Sequence, residues 1–125
     1  MRVLVWSEHY WPLLGGVEMA AYHLVRELGR RGHELRVIAR RDHPELPERQ
    51  EAFGVPILRL AYHEAIAAGD LASVERTLHL VDSEIRSFRP DLLHLFSLGS
   101  NLLVRERVRA AAALPLVLTL HGAAL

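Results

Sequence analysis

The chain has 125 residues, half of them hydrophobic and 24% charged, with 15 acidic and 15 basic residues that cancel. One domain is expected at this length, able to bury roughly two-thirds of the surface its unfolded chain exposes. Balanced charge gives no electrostatic case for nucleic acid or an anionic membrane. The absence of cysteine excludes disulfides, thiolate catalysis and cysteine-ligated zinc.

Only four apolar residues, Val3 to Trp6, separate Arg2 from Ser7-Glu8, too few for a signal-peptide core. The longest uncharged run, Ala110 to Leu125, contains Pro115 and His121 and falls short of the roughly 20 residues a membrane span needs. A soluble, cytoplasmic protein is the expectation.

In chain order, Val3 to Trp6 predicts a buried parallel strand, short, apolar and bounded by polar residues. Val17, Ala20, Ala21, Leu24, Val25 and Leu28 form the stripe of a helix lying on a sheet. Arg26, Arg30 and Arg31 suit its C-terminal dipole, and Gly32 stands where a left-handed residue ends a helix. Leu35 to Ala39 predicts the second strand, Arg40 to Gly54 a polar loop, and Val55 to Leu60 the third strand.

A longer helical region follows, kinked at Gly69-Asp70, where Asp70 can cap the second part. Its stripe is Leu71, Val74, Leu78, Val81, Ile85 and Phe88, and Pro90-Asp91 stops it. Leu92 to Phe96 predicts a fourth strand, Ser100 to Ala113 a helix, and Leu116 to Leu120 a fifth strand. This order predicts an α/β fold: an open, mostly parallel Rossmann-like sheet of about five strands with helices on both faces.

In such sheets ligands gather outside the carboxyl ends of the strands, near the switch point. The candidate site is therefore the loop Ser7 to Gly16 after the first strand, Phe96 to Asn101 after the fourth, and His121-Gly122 after the fifth. Two readings of Gly15-Gly16 stand. It is a tight strand-to-helix turn chosen for its conformational freedom, or a bend presenting backbone N–H groups to an anion at the helix's positive end. The spacing fits neither the dinucleotide fingerprint nor the Walker loop.

Five segments resemble the N-terminal domain of family-four retaining glycosyltransferases: Arg2-Val3-Leu4-Val5; Tyr10-Trp11-Pro12 with Gly15-Gly16-Val17-Glu18; Leu28 with Arg31-Gly32-His33-Glu34-Leu35 and Val37; Pro90-Asp91-Leu92-Leu93-His94; and Leu118-Thr119-Leu120-His121-Gly122. The resemblance implies the glycosyltransferase-B architecture, two Rossmann-like domains facing a cleft, of which residues 1–125 are the acceptor-side one. It implies a nucleotide-sugar donor as substrate, no metal and no other cofactor. Gly15 and Gly16 would lie against the donor phosphates, with Tyr10, Glu18, Ser97 and His121 on the acceptor side. No catalytic residue is assigned. Where the family often has a second histidine, this chain has Phe96, which cannot take its place in proton transfer.

The donor domain is absent from these residues, so the resemblance implies a half-site, inactive alone and completed by a missing domain or partner chain. Family members acting on lipid acceptors often dock on membranes. Arg105 and Arg109, read as sharing a helix face, are the candidate headgroup contact, at the inner membrane face; a solvated face is the plainer reading. Each site residue also has a structural reading: helix-start electrostatics for Glu18, loop packing for Tyr10 and Trp11, a core position for His94, and a helix cap for Ser97. The last strand predicts an exposed sheet edge and a tendency to homo-oligomerise. A different class stays open beside the enzyme reading: a non-catalytic Rossmann-like module for an anion or a partner chain, or one subunit of a split glycosyltransferase.

Overall fold

A computed structural model describes residues 1–12, 16–97 and 99–120, with 16–18 as backbone only. The element order is β1 (Arg2–Ser7), α1 (Gly16–Arg30), β2 (Glu34–Arg40), β3 (Arg49–Ala52), β4 (Val55–Leu60), α2 (Tyr62–Ala68), α3 (Leu71–Phe88), β5 (Leu92–Phe96), α4 (Ser100–Glu106), α5 (Arg109–Ala112) and β6 (Leu116–Thr119). The strands form one sheet in the order β3-β4-β2-β1-β5-β6. Every neighbouring pair is parallel except β3 with β4.

Strand β1 is central, and the chain leaves it first toward β2 and β4, then returns to build β5 and β6 on its other side. The switch point is therefore the boundary between β1 and β5. Central parallel strands are covered on both faces, which explains why Val3, Leu4, Val5 and Trp6 are all buried. Val3 and Val5 face α1, where Ala21 and Val25 supply the i, i+4 contacts. Leu4 and Trp6 face the opposite layer, with Val81, Ile85 and Phe88 of α3 and Val104 of α4. Helices thus lie on both faces, as the sequence implied.

The sheet has six strands, not about five. The segment read as a loop contains β3, paired antiparallel with β4 from Arg49 against Leu58 to Ala52 against Val55. Its turn is Phe53-Gly54, with φ of 55° and 77°, the pair of positive values a two-residue type I′ hairpin requires. A phenylalanine at positive φ is sterically costly. Here its ring is held at 5.5 Å from Trp11, 5.6 Å from Tyr22 and 4.4 Å from the Arg26 guanidinium. β3 carries no apolar signal because the strand Arg-Gln-Glu-Ala alternates between exposed and half-buried at the sheet edge.

The break at Gly69-Asp70 is present. Gly69 ends α2 in the left-handed region, and the Asp70 carboxylate accepts from Ser73 N to start α3. α3 has 18 residues and spans about 27 Å, longer than the roughly 20 Å of a six-residue strand. Its first turns therefore run past the sheet. Leu71 is 75% exposed, and Leu71, Val74 and Leu78 line a groove of about 440 Å³ with Ile66 and Leu103.

The predicted helix over residues 100–113 is two short helices, separated where Val108 turns extended and inserts into the core. Arg105 and Arg109 consequently sit on different helices and share no helix face. Arg105 is also largely buried and paired with Glu106 at 2.9 Å, which corrects the pairing expected for a headgroup contact. No described helix is long and apolar enough to cross a membrane. β6 has one neighbour in the sheet, and Val117 and Leu118 on it are exposed.

Candidate functional site at the switch point

The two loops that flank the switch point, after β1 and after β5, are joined by Glu8. Its Oε1 accepts from Asn101 N at 2.7 Å, at the start of α4, and its Oε2 accepts from the Tyr62 hydroxyl at 3.2 Å. The same phenol oxygen accepts from Trp6 Nε1 at 3.1 Å, completing a relay from indole to phenol to carboxylate. Burial, together with the Glu8 charge, pushes the Tyr62 phenol well above its ordinary value, so it stays a proton donor. Gly99 makes the approach of Glu8 possible, since a Cβ there would lie 2.8 Å from Glu8 Oε1.

Asn101 is fully buried and fully satisfied. Its amide nitrogen donates to the carbonyls of Phe96 and Ser97, both at 3.3 Å, and its Oδ1 accepts from the N–H groups of Gly99 and Leu102. This tether shapes the loop in which Ser97 sits at φ 64°. Ser97 N donates to Thr119 O at 2.9 Å. Ser97 does not cap α4, whose N-cap is Gly99. The Ser97 hydroxyl is half-buried and has no partner among the described residues.

On the other side of β1, Ser7 is buried and its hydroxyl donates to His9 O. His9 Nδ1 lies 2.7 Å from Asp42 Oδ2, two residues beyond β2. Beneath this loop, the Arg59 side chain is buried and donates to Trp11 O at 2.8 Å, Gln50 Oε1 at 2.7 Å and Pro47 O at 3.4 Å. Burial draws the guanidinium below its ordinary value, and the Asp42 charge opposes that shift.

Tyr10, expected to face an open cleft, is instead 7% exposed and packs 6.3 Å from Tyr22. Burial raises its phenol, the cost of an ionised oxygen in a dry setting. The ring is apolar enough to anchor the loop on α1, and that use competes with exposure. His94 is half-buried, stacked 4.4 Å from Phe96 and 2.7 Å from Thr119 Oγ1. Burial lowers its pKa, so the neutral imidazole is favoured there.

Gly16 opens α1, and because α1 follows β1 its start lies on the same carboxyl edge as Ser97. Gly15, His121 and the side chain of Glu18 lie outside the described residues. Among the described residues, no three histidine or carboxylate side chains converge in a way that could hold a metal ion. Sequence reasoning placed Glu8, His9 and Asn101 within the candidate loops without singling them out, and it missed Asp42 and Tyr62. The available signal was position: Glu8 and His9 directly follow the central strand, and Asp42 follows its neighbour.

The sequence model described as Glycosyltransferase Family 4 matches residues 14–125. The chain belongs to glycosyltransferase family 4. Among solved structures, the sucrose-phosphate synthase of Thermosynechococcus elongatus matches this family 4 chain with a TM-score of 0.71 and 14% identity, over 97% of the chain and 33% of the synthase. At that identity the likeness concerns the fold, which is Rossmann-like and of the glycosyltransferase-B kind. The family 4 chain thus spans about a third of the length of that structure. None of the curated proteins matches it.

Proposed function

We propose that this chain is the acceptor-side half of a retaining, nucleotide-sugar-dependent glycosyltransferase, completed by a donor-binding domain. The family match over residues 14–125 carries the reading. Gly15 and Gly16 offer backbone N–H groups to the donor diphosphate at the positive end of α1. Ser97, Glu18 and His121 serve the acceptor, with the Ser97 hydroxyl, unpartnered among the described residues, in support. Tyr10 contributes by packing the loop. The work of this half is orientation: holding the acceptor hydroxyl where the donor domain delivers the activated sugar. No metal and no bound cofactor is required in this reading.

The test is a backbone-amide NMR titration of the 125 residues with UDP-glucose and GDP-mannose, beside an assay of nucleoside-diphosphate release. Shifts should concentrate at Gly16, Ser97 and Asn101, leave Gly32 and Gly54 at the amino edge unmoved, and come with no turnover. Sugar transfer by these residues alone, or shifts confined to the amino edge, would overturn the reading.

A further inference from the structure

We propose that His9, held by Asp42, is an acceptor-binding residue whose Nε2 receives the hydrogen of an acceptor hydroxyl. The inference rests on the reading of the carboxyl edge as the acceptor side and names one of its contacts.

Position comes first. His9 stands two residues beyond β1 and Asp42 two residues beyond β2, and these strands are paired in register from Arg2 against Glu34 to Ser7 against Ala39. The pair therefore sits on the rim where α/β sheets take their ligands, next to the switch point. The backbone beneath it is fixed on both sides: Arg40 N donates to Glu8 O at 3.1 Å, and the Ser7 hydroxyl donates to His9 O. Glu8, one residue away, is clamped by Asn101 and Tyr62.

The chemistry follows from the 2.7 Å contact. An ionised carboxylate can only accept, so Nδ1 carries the hydrogen in this contact, and in the neutral form of the ring Nε2 is then a bare acceptor. The His9 side chain is 40% exposed and that of Asp42 only 16%. The carboxylate is the sheltered orienting member and the imidazole the accessible one. Nε2 has no partner among the described residues. A contact that only stapled two loops together would need Nδ1 alone. The open second nitrogen, with its tautomer set by the sheltered carboxylate, is what a sugar hydroxyl would use. A hydroxyl bound through its hydrogen keeps a lone pair on oxygen directed away from the histidine, which is the orientation a nucleophile needs.

The experiment uses the 125-residue chain with 15N-labelled histidine at about pH 8, above the ordinary imidazole value. His9→Phe assigns the ring signals. The expected result is protonated Nδ1 and bare Nε2, and an Nε2 shift on adding one of D-glucose, D-mannose, N-acetylglucosamine or myo-inositol. Asp42→Asn, which relaxes the tautomer choice, should weaken that response about threefold to tenfold, the scale of one ordinary hydrogen bond. The Asn101 amide should stay in place, a result that loop disruption would not give. His9→Phe should weaken the response of the Ser97 amide to the same sugar at least as much.

Protonated Nε2 in the free protein would overturn the inference, as would unchanged sugar affinity in either variant. A sugar that moves Ser97 and Asn101 but not His9 Nε2 would sink the inference while leaving the acceptor-side reading intact. No response at the carboxyl edge to any of these sugars or to nucleotide-sugars would sink both.

Discussion

Arg59 Nη2 donates to the backbone carbonyl of Trp11 at 2.8 Å, joining a buried cation in β4 to the loop that leaves the central strand. The other arm of the guanidinium reaches Gln50 on β3 at 2.7 Å. One planar group therefore fixes the site loop and the edge hairpin together.

Replacing this fork should be costly. Arg59→Leu is expected to lower the unfolding free energy by about 2–4 kcal/mol, because Trp11 O, Pro47 O and Gln50 lose their donor in a water-poor setting. Arg59→Lys should recover only part, since an ammonium has no rigid second arm. Urea denaturation of the two variants decides the matter, and wild-type stability for Arg59→Leu would remove the guanidinium from this role.

The tie across the switch point rests on a missing side chain. Gly99→Ala places a Cβ 2.8 Å from Glu8 Oε1 and should displace a carboxylate that two hydrogen bonds hold, at a cost of about 1 kcal/mol. Glu8→Ala should cost at least as much. The double variant should cost less than the sum, because both changes act on one contact. Full additivity in the double-variant cycle would contradict the tie.

Ser97 at φ 64° bears a strain that glycine would not. Ser97→Gly is expected to raise stability by about 0.5–1 kcal/mol. It should also weaken the NMR response to an acceptor sugar, because the hydroxyl is gone. Higher Tm with an undiminished sugar response would leave Ser97 a purely conformational role.

Alkaline pH should destabilise the fold through its buried phenols. Tyr10 and Tyr62 both have pKa values raised in the folded state, chiefly by burial. The unfolded chain ionises its phenols near pH 10, whereas the folded chain holds these two protonated. The stabilisation is thus present in full below about pH 10 and is lost as pH rises toward the folded values, by about 1.4 kcal/mol per pH unit for each phenol. Urea midpoints at pH 8 and 11 measure the loss. Tyr10→Phe should reduce the pH dependence by roughly half, and an unchanged slope would exclude Tyr10 as a source.

Much of the scaffold was legible in the chain. The short, mostly apolar runs of β1, β4 and β5, the break at Gly69-Asp70 and the carboxyl-edge placement of Ser97 follow from patterns a few residues long. The site was less so. Tyr10 could not be told apart as packing or contact, because an aromatic beside a glycine turn suits both uses. The helix over residues 100–113 was read as continuous because nothing local shows Val108 turning inward.

What the sequence alone determined is the class of architecture and which loops follow the carboxyl ends of the strands, since strand runs, helix stripes and caps are set by interactions between near neighbours along the chain. The tertiary structure decided the chemistry at that edge: Glu8 against Asn101, His9 against Asp42, and Arg59 beneath Trp11. These pairs are separated by 93, 33 and 48 residues. Their meeting depends on sheet order and register, which bring distant chain ends to one rim, and no local periodicity encodes that.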